Sequence, residues 1–202
     1  MDINKIHNQD CLEAMKLMQD NEFDLAIVDP PYGIGYENGG QYFNKMQDKN
    51  WDKAVPDKKY FDELFRVSKN QIIWGGNYFD LKPTRCVLAW TKTREIQNRT
   101  FSEWEMAWTS FQTVARYYNL KPFQRGGTRI HPTQKPTSLY EWLLMNYAKE
   151  GNKILDTHLG SGSIAIACHN LGYDLTGYEL DKEYYDNAIN RIKNHQSQLR
   201  IL

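Results

Sequence analysis

Two spacings of apolar residues alternate along the chain. After its first residue, Asp24 to Val28 is apolar without interruption and too short for a helix, so it reads as a strand buried on both faces inside a covered parallel sheet. Upstream, Lys5 to Gln9 reads as a short strand, and Leu12, Met15 and Met18 are spaced for one face of a helix over Leu12 to Met18. A polar, glycine-rich segment from Gly33 to about Pro56 precedes a helix near Asp57 to Ser68 and a strand at Gln71 to Gly76. Cys86 to Thr91 and Ser102 to Ser110 follow as strands with no helix between them, the second setting Trp104, Met106 and Trp108 against Glu103 and Glu105, which predicts an antiparallel flank. The remainder alternates again: helix Thr137 to Ala148, strand Lys153 to Asp156, helix Ser163 to Leu171, strand Leu175 to Glu179, helix Lys182 to Gln198. The pattern predicts an α/β open sheet, mostly parallel, with helices on both faces.

At 202 residues the expectation is a single domain spanning 1–202. No apolar run approaches the roughly 20 residues of a membrane span. The N-terminus lacks the layout of a secretory signal, and Cys11, Cys86 and Cys168 are scattered singletons, so a cytoplasmic, reducing location is expected with no membrane partner. Net charge is zero, yet its distribution is uneven. Between Glu105 and Glu141 there is no acid, while Arg116, Lys121, Arg125, Arg129 and Lys135 fall there beside His131. Charge alone leaves open a solvated face or a nucleic-acid surface. Tyr117, Tyr118 and Phe123 among the cations, with Gly126 and Gly127 at a loop tip, favour nucleic acid, with Arg116, Lys121, Arg125 and Arg129 as the candidate DNA contacts.

Open sheets bind ligands at the carboxyl ends of their strands. One such end reads Asp156-Thr157-His158-Leu159-Gly160-Ser161-Gly162, a glycine turn running into a helix, where backbone amides can meet the polar tail of a ligand. About 20 residues later Glu179 ends another strand, placed to accept hydrogen bonds from two ribose hydroxyls. Neither GxGxxG nor GxxxxGK[ST] follows any strand, so a cofactor with adenosine but no phosphate, S-adenosylmethionine, fits better than a dinucleotide or a nucleoside triphosphate. A third end, IVDPPYGIG at Ile27 to Gly35, joins a buried strand to one acid, a pair of prolines and a ring.

The VDPPY at Val28 to Tyr32, the HPTQKP at His131 to Pro136 and the DTHLGSG at Asp156 to Gly162, in that order, resemble the catalytic, linking and cofactor motifs of the β class of amino-DNA methyltransferases. The resemblance covers Asp10 to about Tyr185. It implies a Rossmann-like methyltransferase fold with permuted motif order, S-adenosylmethionine as methyl donor, and methylation of adenine N6 or cytosine N4 in double-stranded DNA. Asp29 and the Pro30 carbonyl would accept hydrogen bonds from the target amine, Pro31 would stiffen the turn, and Tyr32 would offer a flat face to a base rotated out of the duplex. The resemblance further implies that Asp10 accepts from the cofactor's adenine amine, Cys11 contributes its backbone amide, and Thr133 and Lys135 lie near the methionine end. Asp156, His158, Gly160, Ser161, Gly162 and Glu179 would complete the cofactor site. Asp10 also suits the N-cap of the following helix, and the two roles are compatible.

The sequence departs from the family where Thr157-His158 replaces the usual Pro-Phe, which loses an aromatic contact with the cofactor. The recognition segment, 112–130, is short, so either the target sequence is brief or another subunit, as in a homodimer, helps to read it. No cysteine follows a proline, which argues against cytosine C5 chemistry, and no spacing suggests a metal site. Asp29 as the first letter of DPPY favours adenine over cytosine. An amine of RNA or of a protein glutamine, and a non-catalytic DNA-binding subunit, remain as alternatives.

Overall fold

The computed structural model describes residues 4–34, 52, 54–91, 102–119, 130–131 and 133–198. In chain order its strands are β1 (Asn4–His7), β2 (Leu25–Val28), β3 (Gln71–Trp74), β4 (Val87–Thr91), β5 (Trp104–Thr109), β6 (Arg116–Asn119), β7 (Lys153–Asp156) and β8 (Asp174–Tyr178). The helices are α1 (Cys11–Met15), α2 (Lys58–Val67), α3 (Thr137–Tyr147), α4 (Ser163–Leu171) and α5 (Lys182–Ser197). The strands form one eight-stranded sheet in the order β1-β8-β7-β2-β3-β5-β4-β6. Pairing is parallel from β1 through β8, β7 and β2 to β3, antiparallel where β5 meets β3 and β4, and parallel again between β4 and β6. None of the helices among the described residues is long and apolar enough to cross a membrane.

All of β2 is buried because both of its faces are used. Leu25 and Ile27 join Ile72, Trp74 and Ile154 in a core closed by Leu139 and Leu143 of α3, Ile164 and Ile166 of α4, and Ile192 of α5. Ala26 and Val28 face the other way, with Ile73 and Leu155, onto Met15 of α1 and Tyr60, Leu64 and Val67 of α2. Each large apolar side chain buried in this way contributes roughly 1.5–3 kcal/mol, enough to fix strands of only four residues in register.

This layering creates the crevice. Connections leaving β7 and β8 run through α4 and α5 on one face, whereas those leaving β1 and β2 run through α1 and α2 on the other. Neighbouring β7 and β2 therefore send their chains apart, and the gap between their carboxyl ends is a topological switch point.

Two expectations change. The first helix is short: α1 stops at Met15, and Leu17 N to Ala14 O and Met18 N to Met15 O tighten the following turn. More consequentially, Arg116, Tyr117 and Tyr118 belong to the edge strand β6, and not to a pliable loop. Tyr118 packs on Trp142 of α3 with ring centroids 5.3 Å apart, so its ring is part of the fold; Tyr117 stays exposed. Lys121, Arg125 and Arg129 lie outside the described residues, as do Gly35 and most of the 112–130 recognition segment beyond Asn119.

Candidate active site

The carboxyl ends of β1, β2, β7 and β8 open into one cavity of about 520 Å³. Asp10 and Cys11 line it from β1, Asp29 and Pro31 from β2, Thr157 to Ser161 from β7, and Glu179 to Asp181 from β8; His131, Thr133 and Lys135 close it from the linking motif. Asp156 and Gly162, expected in the cofactor site, stand behind this wall. Gly162 has φ +72° and a Cβ there would come 3.0 Å from Ile192 Cδ1, so its role is to let α5 approach the turn. Asp156 is 2% exposed and its Oδ1 accepts from His158 N at 3.0 Å.

Asp29 emerges half-buried from β2, and both of its oxygens are engaged. Tyr32 Oη donates to Oδ1 at 2.6 Å, and Lys135 Nζ donates to Oδ2 at 2.5 Å. Lys135 is also 3.2 Å from Glu105 Oε2 on β5, 3.5 Å from Tyr32 Oη, and over the Trp74 ring at 5.3 Å. Burial pulls the Lys135 ammonium down, but Asp29 and Glu105 more than reverse this and hold it above its ordinary value. The expected placement of Lys135 near the cofactor is thus refined: it lines the cavity, while its charge is directed at carboxylates.

Tyr32 does not offer an open face. Its ring stacks on Tyr78 with centroids 5.0 Å apart and planes at 14°, and it lies so close to the backbone that a Cβ on Gly75 would be 2.2 Å from its Cε1. Burial and the Asp29 charge raise its phenol well above the usual range, so it remains a donor. Pro30 is buried behind the turn. Asp52, itself buried, accepts from Tyr32 N at 2.7 Å and Gly33 N at 2.9 Å, fastening the motif's backbone from a position 20 residues away.

On the opposite wall, Asp10 Oδ1 caps α1 by accepting from Leu12 N at 2.8 Å and Glu13 N at 3.1 Å, while Oδ2 takes no hydrogen bond among the described residues. The Cys11 thiol is pushed up to about 12, by burial first and by Asp10 second, which leaves it inert. Glu179 accepts from Gly160 N at 2.8 Å and Asp181 N at 2.9 Å, so it also holds the glycine turn against β8. Thr133 Oγ1 lies 3.1 Å from His131 Nδ1, and His131 packs on Tyr184 with centroids 4.4 Å apart. Ser161 is buried, its carbonyl accepting from Arg191 Nη1 at 2.7 Å. Among the described residues no group of His, Cys, Asp and Glu could hold a metal ion.

The Thr157-His158 departure has a structural counterpart. Tyr60 Oη is 2.6 Å from Thr157 Oγ1, which is 2.9 Å from His158 Nδ1. Burial keeps the Tyr60 phenol protonated, and the Thr157 hydroxyl links it to the imidazole. Burial lowers the imidazole to about 4, so the ring stands neutral on the cavity wall.

Asp156 carries a pH signature. Burial pushes its carboxyl up to about 8; the His158 amide opposes this, and the Asp29 and Glu179 charges add to it. A folded-state value above the unfolded one near 3.9 means that the folded protein binds the extra proton. The resulting stability is full below about pH 4 and is lost as pH rises through about 8, on the order of a few kcal/mol. Asp156→Asn keeps the acceptor for His158 N and cannot ionise, so melts of the ligand-free protein between pH 5 and 8 should decline for the native chain and stay flatter for the variant. Parallel declines would show that Asp156 is not the group responsible.

Fold and cavity define an open-sheet α/β protein with an acid-lined ligand site at its switch point. A sequence profile described as DNA methylase matches residues 89–190, half of the chain, and the chain belongs to this family, the DNA methyltransferases that act on adenine N6 or cytosine N4. Type II methyltransferase M2.DpnII of Streptococcus pneumoniae is 25% identical over 236 residues, covering 92% of this chain and 88% of that protein. The crystal structure of the M1.HpyAVI–SAM complex has the same fold, with a TM-score of 0.65 and 21% identity over 93% of this chain and 99% of that one. The cytosine-N4-specific PvuII DNA methyltransferase shares the fold at a TM-score of 0.64 and 12% identity, over 98% of this chain and 88% of that one.

Proposed function

We propose that this DNA methyltransferase transfers a methyl group from S-adenosylmethionine to the N6 amine of adenine in double-stranded DNA, as one domain whose target contacts come from 112–130 and the basic side chains there. One observation carries the reading: Asp29 stands on the wall of the same cavity that Asp10, Gly160 and Glu179 line. The residues present fit the cofactor. The cavity lies in the usual ligand size range, Asp10 Oδ2 suits an adenine amine, and the Glu179 carboxylate on the cavity wall suits ribose hydroxyls. Bound there, S-adenosylmethionine supplies an electrophilic methyl on a sulfonium.

The chain's own groups do the rest. Asp29 and the Pro30 carbonyl take hydrogen bonds from the adenine amine, drawing its lone pair out of the ring so that it can attack in line. For this the Tyr32 hydroxyl yields its place on Oδ1, and the base takes the stacking position that Tyr78 fills on Tyr32. Asp29 or water then accepts the proton. Adenine is preferred over cytosine because Asp is the first letter of the motif.

Incubation with labelled S-adenosylmethionine and DNA, followed by digestion to nucleosides, tests the reading: N6-methyladenine is expected, and N4-methylcytosine, or label found only in RNA or protein, overturns it. Glu179→Gln tests the cofactor end. It keeps an acceptor for Gly160 but loses the charge, and charge-assisted hydrogen bonds are worth roughly 1.5–3 kcal/mol, so S-adenosylmethionine should bind several-fold or more weakly. Unchanged affinity by calorimetry removes Glu179 from the ribose.

A further inference from the structure

We propose that the Tyr140 hydroxyl binds the carboxylate at the amino-acid end of S-adenosylmethionine: Tyr140 is buried, its hydroxyl takes no hydrogen bond among the described residues, and it stands on the cavity wall at the start of α3. The inference rests on the proposed reading of the cavity and concerns a residue outside all three sequence motifs.

Position supports it first. The sheet order β1-β8-β7-β2 sets Asp10, Glu179, the glycine turn and Asp29 side by side along the cavity. A cofactor with its adenine at Asp10 and its ribose at Glu179 brings its sulfur to the gap between β7 and β2, next to Asp29, and its amino-acid tail hangs from that sulfur. Tyr140 stands at the same gap. It shares a core cluster with Ile27 of β2 and Ile154 of β7, and the 7% of it that is exposed lines the cavity. Burial raises its phenol well above the usual range, the charges of Asp29, Asp156 and Glu105 add to this, and Arg191 opposes it, so the hydroxyl keeps its proton. Asp29 and Asp156 stand at the carboxyl ends of β2 and β7, so a hydroxyl within reach of both is at the mouth of the gap.

Chemistry supports it second. A buried phenol that keeps its proton calls for an acceptor, and the protein supplies none among the described residues. The ligand must bring it. Asp10, Asp29, Glu179 and Asp181 line the cavity and suit the positive groups of the cofactor, its sulfonium and its α-ammonium, but all four repel its carboxylate. That group has to sit where donors are free. The Lys135 ammonium is turned to Asp29, the Thr157 hydroxyl joins Tyr60 to His158, and the Ser161 hydroxyl lies 3.1 Å from that of Ser163. The start of α3 offers the opposite sign to the acids: Pro136 places no side chain on its first amides and no acid stands in its first turn, so the positive end of an 11-residue helix is uncompensated one turn from the Tyr140 ring. A neutral donor there completes a site for one carboxylate without burying another charge.

The test compares two ligands by calorimetry, S-adenosylhomocysteine and its decarboxylated form, which keeps the adenosine, the sulfur and the amine. Tyr140→Phe removes the hydroxyl and keeps the ring in the core. It should weaken S-adenosylhomocysteine on the order of tenfold, the size of one hydrogen bond to a charged group, and leave the decarboxylated ligand unchanged. An equal loss for both ligands, or a loss for neither, overturns the proposal. Melting of the ligand-free proteins supplies a second readout. A hydroxyl waiting for a ligand contributes nothing to the empty fold, so Tyr140→Phe should melt at or above the native temperature, and a lowered one would mean that the hydroxyl already serves the structure, which also overturns the proposal. Should the native protein fail to bind S-adenosylhomocysteine, the reading of the cavity falls and the proposal with it. If the native protein binds it and Tyr140→Phe binds it equally well, only Tyr140 is excluded.

Discussion

Asp29→Ala should abolish methyl transfer while S-adenosylhomocysteine and DNA still bind with near-native affinity. The carboxylate is proposed to touch the target amine and not the cofactor's adenosine, whose binding groups lie on the walls from β1, β7 and β8. DNA affinity comes mostly from phosphate contacts, which this change leaves in place. Removing one preorganised partner at a reacting centre costs on the order of 10²–10³ in rate, and Asp29 also orients the base, so the loss here should reach or exceed that range. The structure adds a control. Alanine removes the acceptor of both the Tyr32 hydroxyl and the Lys135 ammonium, whereas Asp29→Asn keeps one oxygen for Lys135 and sets its amide nitrogen beside the Tyr32 oxygen, which can accept from it. Asparagine should therefore melt closer to the native protein than alanine while being nearly as slow. A folded alanine variant that methylates adenine near the native rate would falsify the assignment of Asp29.

The fold was legible wherever burial on both faces dictated composition. Leu25 to Val28 and Ile154 to Leu155 are apolar because helices cover both sides, and the glycine turn is visible because left-handed φ at Gly160 and Gly162 leaves few alternatives to glycine. The short strand β6 was not, because Arg116-Tyr117-Tyr118-Asn119 has cations and rings suited equally to an edge strand and to a nucleic-acid loop. The site was legible only where it coincides with a motif. Asp52 reaches Tyr32 N across 20 residues, Tyr60 reaches Thr157 across 97, and Lys135 reaches Asp29 across 106; nothing local marks such partners. Glu105 gave one usable signal, an acid in a strand that has neighbours on both edges, where a half-buried charge requires a partner. Tyr78 gave none, since a partly exposed tyrosine after a glycine pair is unremarkable until the ring it covers is known.

Thr157-His158 shows why a departure from a family pattern need not weaken a site. The usual aromatic ring is absent, but Tyr60 and Thr157 hold the imidazole in place and burial keeps it neutral, so a polar ring replaces an apolar contact on the cavity wall. The same logic of long-range fixation governs the opposite wall, where Asp52 sets the backbone of the motif and Lys135 sets its charge.

Lys135→Met should be the most destabilising single change at this site. The methylenes of methionine fill much of the lysine stem, so packing is nearly kept and the loss is electrostatic. Asp29 and Glu105 are then left facing one another, half-buried, without the ammonium that lies 2.5 Å from one and 3.2 Å from the other. Breaking a buried pair from one side costs about 3–5 kcal/mol, and here two carboxylates lose the same ammonium. Methyl transfer should be lost as well, because Asp29 loses the group that fixes its position. The origin of the cost can be separated by a double-mutant cycle in urea. In a Glu105→Gln background, Lys135→Met takes the ammonium from one carboxylate and not two, so it should cost less than in the native chain, giving a coupling energy on the order of 1–3 kcal/mol. Equal costs in the two backgrounds would mean that Lys135 and Glu105 act independently, and that the ammonium serves Asp29 alone.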